Sequence, residues 1–126
     1  MYVTAQKKNI CVINPNAIGF GVNVFVFGPK TVSFEKFLGL ASGVDPRMAL
    51  TKLVPYIPTY VDPVMVRKAA MGEMFIPNIA MPQYFGTSIA VSEAIMMVLG
   101  KISPPEGPNP RIFIMDLLDR KFQITG

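Results

Sequence analysis

No histidine occurs anywhere in this chain, and only one cysteine, Cys11. Without histidine, a Cys–His or Ser–His nucleophile pair is excluded. One thiol cannot close an internal disulfide, and with no imidazole it cannot build a structural zinc site. A reducing, cytoplasmic setting is the default for such a chain. Charge is also scarce: 16% of residues are charged, against about 25% in ordinary soluble domains. The basic residues are scattered as pairs, Lys7-Lys8, Arg67-Lys68 and Arg120-Lys121. No aromatic stripe interleaves them, so nucleic acid is not the expected partner. The best candidate for a membrane span, Ile79–Leu99, is interrupted by Pro82, Gln83 and Glu93. It reads as a core helix, and no membrane association is expected. The N-terminus lacks signal-peptide character, because Asn14-Pro15 stops its short apolar stretch.

What is abundant is apolar surface. The net charge is +4, 51% of residues are hydrophobic and the mean hydropathy is +0.40. A chain of 126 residues makes one domain, 1–126, burying about 65% of its unfolded surface. A small domain has proportionally more surface to solvate. The apolar excess therefore predicts a face that meets a partner, a second copy or a missing half.

The element order follows from local pattern. Residues 10–13, "ICVI", predict a short strand buried on both faces and ended by Asn14-Pro15-Asn16. After Gly19-Phe20-Gly21, "VNVFVF" alternates. Val22, Val24 and Val26 fall on one side of a strand, and Asn23, Phe25 and Phe27 on the other. Ser33, Asp45 and Asp62 stand where helix N-caps belong, the two aspartates each followed by proline. "GTSIAVSEAIMMVLG" predicts the main helix, capped by Thr87 or Ser88 and closed by Gly100. Ser103–Pro110 reads as an irregular loop, and "RIFIMDLLDRKFQIT" as a closing β-hairpin turning at Leu117–Asp119. The fold class is α/β, with an incomplete pattern.

Candidate chemistry is thin. Gly19-Phe20-Gly21 begins like a dinucleotide fingerprint, but Val24 fills the third glycine position and a strand follows. The segment reads as a turn, since no helix N-terminus is present to hold phosphate. Cys11 reads as a small core residue whose thiol is desolvated. Glu93 has three readings: a structural anchor, the solvent face of its helix, or a catalytic group lacking a second carboxylate. Asp116 and Asp119 read as turn residues. Met65, Met71, Met74 and Met81, among nine methionines, read as core filling, with a plastic interface as the sharper alternative.

Three stretches together resemble the ThiF/MoeB/HesA-type adenylyltransferases, relatives of the ubiquitin-activating enzymes. "NICVINPNAIGFGVNVFVFGP" is similar to their strand–turn–antiparallel-strand segment. "FGTSIAVSEAIMMVLG" resembles their late helix, with Glu93, Ala94 and Ile95 matching. "RIFIMDLLDRKFQI" resembles their closing hairpin, filled by Phe113 or Met115, Asp116 and Phe122. "TVSFEKFLGL" and Val61–Pro63 are similar to a bacterial subgroup. The resemblance spans nearly the whole chain, in order.

It implies a partial Rossmann-like fold, a mixed sheet with antiparallel strands and a C-terminal hairpin packed on helices. The family adenylates a carboxylate, often the C-terminus of a ubiquitin-like or sulfur carrier, using ATP and magnesium. Its nucleotide loop, arginines and metal-handling aspartate all precede the strand matching Ile10–Ile13. The expectation is therefore a C-terminal, partner-facing and dimerising portion, inactive alone, without catalytic residues, metal or cofactor of its own. Many members carry paired Cys-x-x-Cys motifs and a crossover cysteine; neither occurs here, and Cys11 does not stand for the latter. Asn16, Gly19 and Phe20 are the implied substrate-channel residues. The expected partners are an N-terminal nucleotide-binding half or a second copy, and a carrier protein. The alternative is a non-enzymatic, homo-oligomeric interaction module.

Overall fold

A computed structural model describes residues 2–40, 48–75 and 79–126. Its order is α1 (Tyr2–Lys7), β1 (Val12–Ile18), β2 (Gly21–Phe27), α2 (Phe34–Phe37), α3 (Met48–Lys52), a 3-10 turn (Val54–Tyr56), α4 (Pro63–Ala70), α5 (Ala80–Val98), β3 (Arg111–Asp116) and β4 (Lys121–Thr125). The strands form one antiparallel sheet in the order β1-β2-β3-β4. The chain is thus mixed α and β, as the element pattern predicts.

β2 is buried from end to end because it has a neighbour on each side and cover on each face. The predicted alternation holds. Val22, Val24 and Val26 pack with Phe113, Ile89 and Met97 under α5. On the other face Phe25 and Phe27 join Tyr2, Leu38, Leu53 and Ile112, with Phe34, Phe37 and Tyr56 around them. The Phe25 and Tyr56 rings meet edge-on at 5.3 Å between centroids, a preferred aromatic geometry. Each fully buried phenylalanine contributes about 1.5–3 kcal/mol.

β1 departs from expectation. It runs straight through Asn14-Pro15-Asn16 to Ile18, with Pro15 opposite Val24. It is half-buried, not enclosed on both faces. Among the described strands only β2 flanks it, and an edge strand tolerates proline because one side of its backbone has no ladder to serve. The glycines that follow make a tight hairpin. Ile18 pairs with Gly21, and Gly19 takes φ +58 at the first central position of the turn.

The predicted caps at Ser33 and Asp62 are formed: Ser33 Oγ accepts from the Lys36 N–H and Asp62 Oδ1 from the Val64 N–H. The Asp45-Pro46 cap lies outside the described residues. α4 buries Val66 and Ala70, with Val66 packed beside Ile18 and Ile57.

α5 begins at Ala80, six residues before Gly86, and Thr87 and Ser88 lie inside it. Pro82 is in the first turn, where N–H groups have no intrahelical acceptor, so it breaks nothing. Gly86 is a contact point: a Cβ there would lie 2.6 Å from Val22 Cγ2 and 3.3 Å from Pro15 Cβ. The helix lies directly on the β1–β2 ladder as a result. It ends at Gly100, φ +65, with the Lys101 N–H donating to the Met96 carbonyl. α5 is not the core helix its composition suggests. Only Pro82 and Gly86 are fully buried, because the sheet covers a single stripe. Among the described residues, no helix is long and apolar enough to cross a membrane. The methionine group also departs from core filling: Met65 and Met74 are half-buried, while Met71 and Met81 are exposed. Residues 103–110 are irregular and the closing hairpin is present, as expected.

Candidate functional site

The turn end of the sheet gathers most of the polar side chains that have specific partners. Asn16 and Asn23 face each other across β1 and β2. Asn16 Nδ2 donates to Asn23 Oδ1 at 3.0 Å and to the Asn14 carbonyl at 3.3 Å. Asn23, only 2% exposed, donates in turn to the Tyr56 carbonyl at 2.9 Å. A buried amide must be satisfied this way, and the chain ties the 3-10 turn to the sheet centre.

The β1–β2 turn is held from two sides. The Phe20 N–H donates to the Tyr60 hydroxyl at 2.7 Å, and the Phe20 carbonyl accepts from the Leu117 N–H at 3.1 Å. Gly19 lies against the Tyr60 ring, which leaves little room for a Cβ. Burial pushes the Tyr60 hydroxyl above its usual pKa; the Phe20 N–H pulls it back, and Asp116 and Asp119 push it up further. Asp116, 5% exposed, accepts at Oδ1 from the Leu118 and Asp119 N–H groups, and so builds the β3–β4 turn predicted for it.

Two clefts flank this end. One, of about 320 Å³, lies between β1 and the start of α5, lined by Pro15, Asn16, Ala17, Val22, Gln83 and Thr87 among others. The second, of about 260 Å³, lies on the opposite sheet face, between Pro55–Thr59 and the β3–β4 hairpin. Ile57, Pro58 and Ile114 give it apolar walls, and Asp116, Asp119, Lys121 and Gln123 a polar rim. Lys121 reaches Asp119 at 3.5 Å, but both are well exposed.

The three residues implied as substrate-channel positions are not brought into one pocket. Asn16 borders the first cleft, with its amide hydrogens already bonded within the sheet. Gly19 and Phe20 line neither cleft, and Phe20 presents an exposed ring at the tip of the turn. Glu93 is an ion-pair partner. Its Oε2 lies 2.8 Å from Arg111 Nη1, with both side chains largely covered, and Arg111 Nη2 donates to the Ser103 carbonyl. The pair staples α5 and the irregular loop to the start of β3. Cys11 lies just before β1, half-buried, and burial pushes its thiol upward.

These residues do not fit a nucleotide. The Gly19–Gly21 segment joins two strands, so no helix begins where phosphate would need its N–H groups. The rim of the second cleft carries two carboxylates against one lysine, Lys121, which is itself paired with Asp119. Among the described residues, no three Asp, Glu, Cys or His side chains converge as metal ligands. What the end of the sheet offers is an ordered backbone turn between two clefts.

Sequence reasoning did not anticipate Tyr60 or the depth of Asp116. The Asn16–Asn23–Tyr56 chain does carry a signal: one polar residue among five apolar ones in "VNVFVF" demands a hydrogen-bond partner. Comparison with family models, with curated proteins and with solved structures finds no match for this chain.

Proposed function

We propose that this chain is the partner-facing part of an ATP-dependent, ThiF-type adenylyltransferase, which activates a carboxylate such as the C-terminus of a ubiquitin-like or sulfur-carrier protein. ATP and magnesium belong to a nucleotide-binding half that extends the sheet at β1. That half completes a Rossmann-like fold, of which the antiparallel sheet, its hairpins and α5 are the remainder.

The observation that carries this reading is the margin at β1. Its ends, Val12-Ile13 and Ala17-Ile18, are apolar, yet β2 is its sole partner among the described strands, and Ile10 just before it is exposed. A strand from a companion half would pair with the free backbone edge to one side of Pro15, which has no N–H to give to such a ladder. The clefts beside the β1–β2 turn would then face the incoming carrier tail.

ATP–pyrophosphate exchange tests the reading. The chain alone is expected to show no exchange, and exchange is expected when a nucleotide-binding half of the same family is supplied. Exchange by the lone chain would overturn it, as would failure of every such half to bind. A second reading, a homo-oligomeric interaction module without enzymatic role, draws support from the exposed apolar surface of α5.

A further inference from the structure

Among the described acidic residues only Asp116 is buried, at 5% exposure. Its Oδ1 accepts from the Leu118 and Asp119 N–H groups and is taken up by the β3–β4 turn. Its Oδ2 accepts nothing from the described residues, yet it is not sealed from solvent. It opens into the cleft of about 260 Å³ that Asp116 lines. A carboxylate so far covered is costly to the fold unless both oxygens find donors. Lys121 stands across the β3–β4 ladder from Asp116. Its Nζ turns instead to Asp119, 3.5 Å away, and most of its side chain stays in solvent. Arg120 lines no part of the cleft.

The rest of the cleft suits a ligand with an apolar body. Ile114 lies on the same sheet face as Asp116, two residues back along β3, and Ile57 and Pro58 border the cleft with it. Gly21, cross-strand from Asp116, lets Pro58 come this close, because a Cβ there would run into the proline ring. Asp119 is steadied by the Thr59 hydroxyl, which donates to its Oδ2 at 3.4 Å, and Gln123 completes the rim. Apolar walls with a few convergent polar groups are the make-up of a small-ligand site. The lining carries two carboxylates against one lysine, so its charge favours a cation.

The free oxygen of Asp116 selects the kind of cation. A guanidinium is held best by a carboxylate that offers both oxygens side by side. Asp116 has one to offer. An ammonium is a compact charge with three donors. Asp116 Oδ2, the Asp119 carboxylate and the Gln123 amide oxygen are three acceptors on one cleft. We infer that this cleft binds a primary alkylammonium group, with its stem against Ile57, Pro58 and Ile114 and its charge on Asp116. The group comes from a free amine or from a lysine side chain of another polypeptide. The inference does not rest on the adenylyltransferase reading, and its test does not measure adenylation.

The probes are n-butylammonium and the peptide acetyl-Gly-Lys-Gly-amide, each titrated into the isotope-labelled chain at low salt, where screening is weak. Both should shift the Leu118, Asp119 and Gln123 amide resonances saturably at millimolar concentration, and the tighter of the two identifies the source. Asp116→Asn keeps an oxygen for the turn and removes the charge; it should weaken both probes several-fold. Lys121→Ala, at an exposed position, removes the competing cation and should tighten both several-fold. If Asp116→Asn does not fold, Lys121→Ala and the arginine peptide acetyl-Gly-Arg-Gly-amide decide. The absence of a saturable shift, equal binding of the arginine peptide, shifts indifferent to Asp116→Asn, or an affinity unchanged by Lys121→Ala would each overturn the inference.

Discussion

Gly86 is invisible as a structural requirement until the sheet is placed beneath it. In the sequence it stands just before the predicted caps Thr87 and Ser88; in the fold it is where a helix touches two strands. Gly86→Ala forces its Cβ into Val22, a valine that is itself fully enclosed. The expected loss is about 1–3 kcal/mol, the range for overpacking a core, read as a lower urea midpoint. Asn23 makes a second case. Its strand position and its facing were legible from alternation, but its partner, the Tyr56 carbonyl, lies 33 residues away and was not. Asn23→Ala leaves that carbonyl and the Asn16 amide without their buried partner, and should cost about 1–3 kcal/mol. Glu93 was legible as a problem, a carboxylate on an apolar helix. Its solution, Arg111, depends on where β3 comes to lie. Glu93→Ala strands a largely covered guanidinium; about 2 kcal/mol should be lost, below the 3–5 of a fully buried pair because some solvent reaches both ends.

Among the elements, those governed by near neighbours matched their local signals. The caps at Ser33 and Asp62 and the β3–β4 turn built by Asp116 each depend on contacts within a few residues. Asp62→Ala should therefore cost about 1 kcal/mol, seen in the unfolding midpoint. The errors fell where long-range packing overrides local signals. Asn14-Pro15-Asn16 reads as a stop, yet β1 continues because β2 offers a full register and Pro15 loses little on an edge. Thr87 or Ser88 reads as the cap of the main helix, yet α5 starts at Ala80 and takes in Pro82 in its unsatisfied first turn and Gly86 at its contact with the sheet.

Over the molecule as a whole, three groups give stability the same alkaline slope. Burial, and then the nearby Glu35 carboxylate, push the Tyr2 hydroxyl up; burial foremost does so for Tyr60, and burial alone for Cys11. Each holds its proton in the fold to higher pH than in the unfolded chain. The unfolded state therefore releases protons first, and stability falls as pH rises. The decline should begin near pH 9, where the unfolded thiol ionises, and steepen near pH 10, where the unfolded tyrosines do. Urea midpoints should be level from pH 6 to 8 and drop above, and Tyr2→Phe should flatten the upper part. Constant midpoints through pH 10.5 would contradict the assignment. The apolar excess, legible at once in composition, becomes specific only here: among the described residues β1 has one unpaired edge, and α5 exposes apolar side chains away from the sheet.

Composition and spacing by themselves determined that histidine-based catalysis and a Cys–His zinc site are excluded, that turns fall at Gly19–Phe20 and after Asp116, that Ser33 and Asp62 cap their helices, and which way each side chain of β2 points. Those are consequences of residue chemistry and of the two backbone periods, and they act over a few residues. Tertiary structure alone decided that β1 lies at a margin, that α5 is half covered, and that Asn23 and Glu93 have partners. Burial and pairing depend on how many neighbours arrive from distant parts of the chain, a quantity that no local pattern carries.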